Sequence, residues 1–123
     1  MNTTIRTKLP PVIDSDVLFS GWTDIRSSDG TLFRYALVNR HTHIDIGIQT
    51  PRSPRGAAED DNYHLVHKMP LGLYGNTKIC IKEGKEPKTV EKAMGILREY
   101  IDLYAIFLKT GKSIDEQIKE LRN

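Results

Sequence analysis

The sequence predicts an α+β domain. It has a meander-like antiparallel sheet of about five strands, a long helix over 88–109 covering one sheet face, and a short helix at the C-terminal end. Three observations carry that expectation. From Val17 to Lys82 apolar and polar residues alternate, which is the period of half-buried strands. From Thr89 to Leu108 apolar residues recur every three or four positions, the period of one helix face. Between the two regimes stands Pro87, which suits a first-turn helix position where a missing N–H costs nothing.

Each element has its own justification. Residues 1–16 are polar and contain Pro10-Pro11, so they read as an extended N-terminal arm ahead of a single domain over 17–123. The first strand, 17–26, alternates imperfectly: Phe19 and Ile25 share one parity, Leu18 and Trp22 the other. Ser27-Ser28-Asp29-Gly30 supplies turn chemistry, with Gly30 able to take a positive φ. In the second strand, 31–39, Phe33, Tyr35 and Leu37 lie on one face and Leu32, Ala36 and Val38 on the other. A strand apolar on both faces belongs at the centre of a sheet, covered on both sides. The third strand, 43–49, alternates most cleanly, with Ile44, Ile46 and Ile48 opposed to His43, Asp45, Gly47 and Gln49.

The segment TPRSPRGAAEDDN at 50–62 breaks the pattern with two prolines, two arginines and an acidic end. Loops of about a dozen residues are commonly functional or solvated and flexible, and this one reads as either. Strands resume over 63–69 and 76–82, the last with Thr77, Ile79 and Ile81 on one face and Lys78, Cys80 and Lys82 on the other. The long helix carries the stripe Val90, Ala93, Met94, Leu97, Ile101, Tyr104 and Leu108, which is expected to lie across the isoleucine face of the sheet. Ile96, Leu103, Ala105, Ile106 and Phe107 widen that stripe. Gly111 is a left-handed stop, and Ser113-Ile114-Asp115-Glu116 is a capping box opening a short helix with Ile114, Ile118 and Leu121 inward.

Composition excludes several classes. A chain of 123 residues with 38% hydrophobic and 28% charged residues fits an ordinary soluble domain. With 18 basic against 16 acidic side chains, the net charge of +2 argues against a domain that coats DNA non-specifically. The single cysteine, Cys80, excludes an internal disulfide framework and suits a reducing compartment. Residues 1–16 lack the apolar core of a signal peptide, and no stretch reaches the roughly 18–20 apolar residues of a membrane span. A cytoplasmic protein without membrane contact is the expectation.

No motif identifies a substrate, and no cofactor or catalytic residue is assigned. The histidines form His41-x-His43 and His64-x-x-His67. On strands the first pair shares a face and the second does not, so at most three rings converge, with Asp45 as a fourth candidate ligand. Surface histidines are the better reading, and no metal site is assigned. Cys80 has Lys78 and Lys82 on its strand face, which would favour a thiolate. The stretch Ile79-Cys80-Ile81, followed by Pro87 and a helix, resembles the active-site stretch of ubiquitin-conjugating enzymes over about a dozen residues. It lacks their His-Pro-Asn triplet before the cysteine, their tryptophan after it and their long helix ahead of the sheet. Gly111-Lys112-Ser113 imitates the end of a phosphate-binding loop, but position 106 is Ile106 rather than glycine and the tripeptide follows a helix.

Two surfaces stand out. Lys78, Lys82, Lys85, Lys88 and Lys92 run from the last strand into the long helix, extended by Arg52 and Arg55 if the long loop folds towards them. They form a candidate nucleic-acid surface, although Glu83, Glu86 and Glu91 interleave and edge protection by lysine explains the same pattern. Ile96, Leu103 and Phe107 lie away from the centre of the main stripe and form a candidate partner-binding surface. The function that follows is a small non-enzymatic interaction or regulatory protein that binds another macromolecule, with self-association as a homodimer one form of it. Nucleic-acid binding through the lysines is the alternative, and a small enzyme using Cys80 or the histidines the remote one. Small size without a signature also resembles phage or mobile-element accessory proteins in a general way.

Overall fold

The computed structural model describes residues 18–19, 21–51, 67–71 and 76–122. The expected 1–16 arm lies outside them, as do Arg52, Arg55 and His64 and all of the 50–62 loop beyond Pro51. The strands are β1 (Leu18–Phe19), β2 (Thr23–Arg26), β3 (Leu32–Asn39), β4 (Ile44–Gln49), β5 (Lys68–Pro70) and β6 (Thr77–Ile79), followed by α1 (Val90–Thr110) and α2 (Ile114–Leu121). Every pairing is antiparallel. The order is β1–β3–β4–β6–β5, with β2 on the same edge of β3 as β1, so the sheet is open and five strands wide.

The imperfect first strand has a physical cause. Phe19 pairs with Val38 and Thr23 with Tyr35. Three residues therefore separate the first members of those pairs, and only two separate their partners. One extra residue on an edge strand is a β-bulge, which inverts the parity of everything beyond it. Gly21, at φ 88°, sits in that bulge. Positions 19 and 25, alike in sequence parity, thus stand opposite Val38 and Phe33, which differ in parity.

The meander runs as far as β4; β6 then pairs with β4, and β5 takes the outer edge beyond it. Strand β6 stops at Ile79, short of the expected Lys82, and the chain turns away through Gly84 at φ 85°. This departing segment is anchored by Pro87, whose carbonyl accepts from Ile44 N at 2.8 Å. Pro87 is buried there, outside the helix. The N-cap of α1 is Thr89, whose hydroxyl accepts from Lys92 N.

The α1 helix crosses the first sheet face as its periodicity requires. Phe33, Tyr35, Leu37, Ile44, Ile46, Ile48 and Ile79 pack with Val90, Ala93, Leu97, Ile101 and Tyr104 in one core, with Ile81 and Met94 partly buried at its margin. Tyr104 stands edge-on to both Phe33 and Phe107. Gly111 caps the helix at φ 78°, and Ser113 with Glu116 forms the reciprocal capping box of α2. A polar clamp holds the β2–β3 turn to α1: Asp102 accepts from the amide and hydroxyl of Ser28, and Asp29 pairs with Lys109. That lysine, with hydrogen bonds from Ser27 and Thr31, holds the Asp29 carboxyl well below the usual range.

The second sheet face is covered too, as two-sided β3 implies. Ala36 and Val38 are fully buried, and Leu71 nearly so. Gly47 is closely approached there. A β-carbon on it would lie 3.1 Å from Trp22 Cη2 and 3.3 Å from Leu71 Cδ2.

Candidate interaction surface

Where the end of the β5–β6 hairpin meets the two helices, a cavity of about 180 Å³ opens to solvent. Its apolar wall comes from Ile96, Tyr100 and Leu103 of α1 and from Ile114 and Ile118 of α2. The helical period explains the α1 residues: positions three, four and seven apart share a face. The capping box starts α2 at the right point, and Gln117 fixes its docking by donating to Leu103 O at 2.9 Å and Lys112 O at 3.0 Å.

The mouth is polar. Cys80 N donates to His67 O at 2.7 Å, which sets these two residues side by side beyond the ends of β6 and β5. His67 has φ 50°, and its Nε2 lies 2.7 Å from Asp115 Oδ1. Glu99 completes the rim, so two carboxylates, Glu99 and Asp115, flank an apolar floor. Tyr100 is buried below. That burial first, then neighbouring Tyr104 and Cys80, push its phenol well above the ordinary value and keep it neutral.

Of the three expected partner-binding residues, Ile96 and Leu103 line this cavity. Phe107 does not: it is fully buried in the core, edge-on to Tyr104. Cys80, His67 and Asp115 were not grouped by sequence reasoning. The signal that unites His67 and Cys80 is the β5–β6 register, Lys68 opposite Ile79, which places 67 opposite 80; Asp115 joins them only through the docking of α2.

The lysine series divides. Lys78 points onto the second sheet face and is drawn into a buried cluster around Asp45. There Asp45 Oδ2 accepts from Lys78 Nζ at 3.1 Å and from Arg40 Nε at 2.9 Å, while Oδ1 lies 3.1 Å from His43 Nε2. Arg40 also donates to Leu71 O at 3.0 Å. Burial pushes the Asp45 carboxyl up, but the hydrogen bonds and charges of Arg40 and Lys78 outweigh it and hold the group below the usual range. A second cavity, about 220 Å³, lies beside this cluster between Met69, Ile79, Ile81, Glu83 and Glu86, and its charged floor of Asp45 and Lys78 is already self-paired. Lys82, Lys85, Lys88 and Lys92 are exposed along the connection and the first turn of α1. Glu86 beside them is held ionised chiefly by backbone N–H bonds at its own residue and at Gly84.

The described histidines separate. His41 stands in the β3–β4 turn at φ 71°, His43 is on Asp45, and His67 is on Asp115. Among the described residues no three histidine, cysteine or acidic side chains converge in a way that could hold a metal ion, and no helix is long and apolar enough to cross a membrane. Comparison with models of known protein families, with curated proteins and with solved structures found no match.

Proposed function

We propose that the chain is a non-enzymatic interaction protein that binds another macromolecule by taking one apolar side chain into the α1–α2 cavity. The observation that carries this reading is the combination of an open, apolar-walled cavity with an acidic mouth, where Glu99 lines the rim and Asp115 backs His67. A volume of about 180 Å³ suits a single leucine- or phenylalanine-sized group. A desolvated apolar anchor ringed by polar contacts is how protein interfaces concentrate their binding energy. The acidic rim favours a segment whose anchor is flanked by lysine or arginine.

Selection of peptides from a random library on the immobilised full chain tests it. The expected consensus is a large apolar residue with basic neighbours, binding that Ile96→Lys abolishes while the circular-dichroism spectrum is unchanged. A consensus that ignores Ile96→Lys, or no selection at all, refutes the reading.

One observation favours a second reading of the same mouth, as a thiol site. Cys80 and His67 share the cavity wall, and His67 is oriented by Asp115 through Nε2, leaving Nδ1 for a nucleophile. Alkylation of Cys80 by iodoacetamide should then slow several-fold in His67→Ala; an unchanged rate removes the thiol reading.

A further inference from the structure

We infer that the occupant of the α1–α2 cavity is the α2 helix of a second copy of this chain, so that two copies associate as an isologous dimer. This rests on the cavity being an interaction site, as proposed above, and names the partner. The reason is that one patch carries both halves of a complementary pair.

Leu121, the last residue of α2, is the most exposed large apolar side chain among the described residues, at 79%. It lies one turn beyond Ile118, which lines the cavity. The patch therefore presents an apolar projection next to an apolar hole. Charge is arranged in the same sense. The first turn of α2 carries Asp115 and Glu116, and Glu99 stands across the cavity mouth. The other end carries Lys119 and Arg122; Glu120 there is engaged by Lys112 at 2.8 Å, and at the first turn one oxygen of Asp115 is in contact with His67 at 2.7 Å.

A two-fold axis near Ile118 runs the two α2 helices antiparallel. It sets Leu121 of each copy over the Ile114 end of the other, at the cavity mouth, with Arg122 against Asp115. Residue i meeting j while j meets i is what a closed two-fold interface requires. The helix dipoles also oppose favourably in that arrangement. Parallel association would place like charges together at both ends.

Sedimentation equilibrium of the full chain over a wide concentration range is the test, with circular dichroism and thermal melts as folding controls. The wild type is expected to dimerise reversibly. Leu121→Glu, Asp115→Arg and Arg122→Asp should each weaken the dimer about tenfold or more, and the double variant Asp115→Arg/Arg122→Asp should recover most of the loss. A wild type that stays monomeric, or a Leu121→Glu variant that dimerises normally, overturns the inference. If basic apolar peptides still enter the cavity of such a monomer, the interaction reading stands and only the second copy is wrong. If they fail too, both fall.

Discussion

Asp45→Asn removes one charge from the second sheet face and leaves the shape almost intact. In the wild type this carboxylate, 8% exposed, accepts from Arg40 and Lys78 and touches His43, while the two permanent cations keep about a fifth of their side-chain exposure. Removing the acid leaves two cations facing each other over a buried amide. Breaking a fully buried pair costs about 3–5 kcal/mol, and the residual solvation of Arg40 and Lys78 places the expected loss near the lower end, about 3 kcal/mol. For a domain of this size that lowers the melting temperature by about 10 °C. The pH dependence supplies a sharper check. The folded carboxyl sits below its unfolded value of 3.8, so its stabilisation is complete above that value and is lost as pH falls through the lower, folded one. Urea denaturation followed by circular dichroism should show a constant gap between wild type and Asp45→Asn from neutral pH down to about pH 5, closing below about pH 4. A gap that is absent at neutral pH, or that survives unchanged into strong acid, refutes the assignment of Asp45 as the charge that neutralises Arg40 and Lys78.

Leu97 is fully buried at the centre of α1, so Leu97→Ala should cost about 2–5 kcal/mol in the same assay, and a loss below about 1 kcal/mol would contradict its place in the core. Gly47→Val forces a branched side chain against Trp22 and Leu71; a loss of about 1–3 kcal/mol with a shift in the emission of Trp22, the only tryptophan, is expected, and wild-type stability with unchanged emission would refute the packing. Lys82→Glu/Lys88→Glu reverses two exposed charges that no buried partner uses; any nucleic-acid binding seen at low salt should disappear in this variant with the fold unchanged, and its persistence would place the phosphate contacts elsewhere.

Local period was legible, and non-local order was not. Ile44, Ile46 and Ile48 announce a strand face without help from any other residue, and Thr89 to Leu108 announces the helix that covers it. The bulge at Gly21 left only a broken alternation, because a one-residue insertion looks in sequence like a poor strand. The position of β6 between β4 and β5 depends on pairings such as Gly47 with Lys78, far apart in the chain, which no local pattern records. The same distance hid the Asp45 cluster: Lys78 reads as one of a basic series until its pairing turns it onto the second face. Phe107 reads as surplus to the main stripe, and the structure buries it, for a related reason. Its burial is decided by how the core closes around it and Tyr104, which the spacing along α1 does not record.

Neighbouring positions on α1 show why the candidate site and the core are separable. Leu97 is fully buried against the isoleucine face; Ile96, one residue away and about 100° around the helix, is only half-buried and lines the cavity. Tyr100 spans both, its ring packed beside Tyr104 and its edge in the cavity wall. The sheet thus uses one side of α1 for stability, and the margin of that side is closed only in part by α2. Ile114 and Gln117 anchor α2, and Ile118 packs in part against the core, so Leu121 is the apolar residue of α2 that is not spent on folding. A small domain whose sheet is covered on both faces has few places for unsatisfied apolar surface. Among the described residues Leu32, Met69 and Ile106 are exposed singly elsewhere, whereas Leu121 stands next to the α1–α2 cavity. It is this adjacency of an exposed apolar side chain and an apolar-walled hole that the proposed interaction draws on.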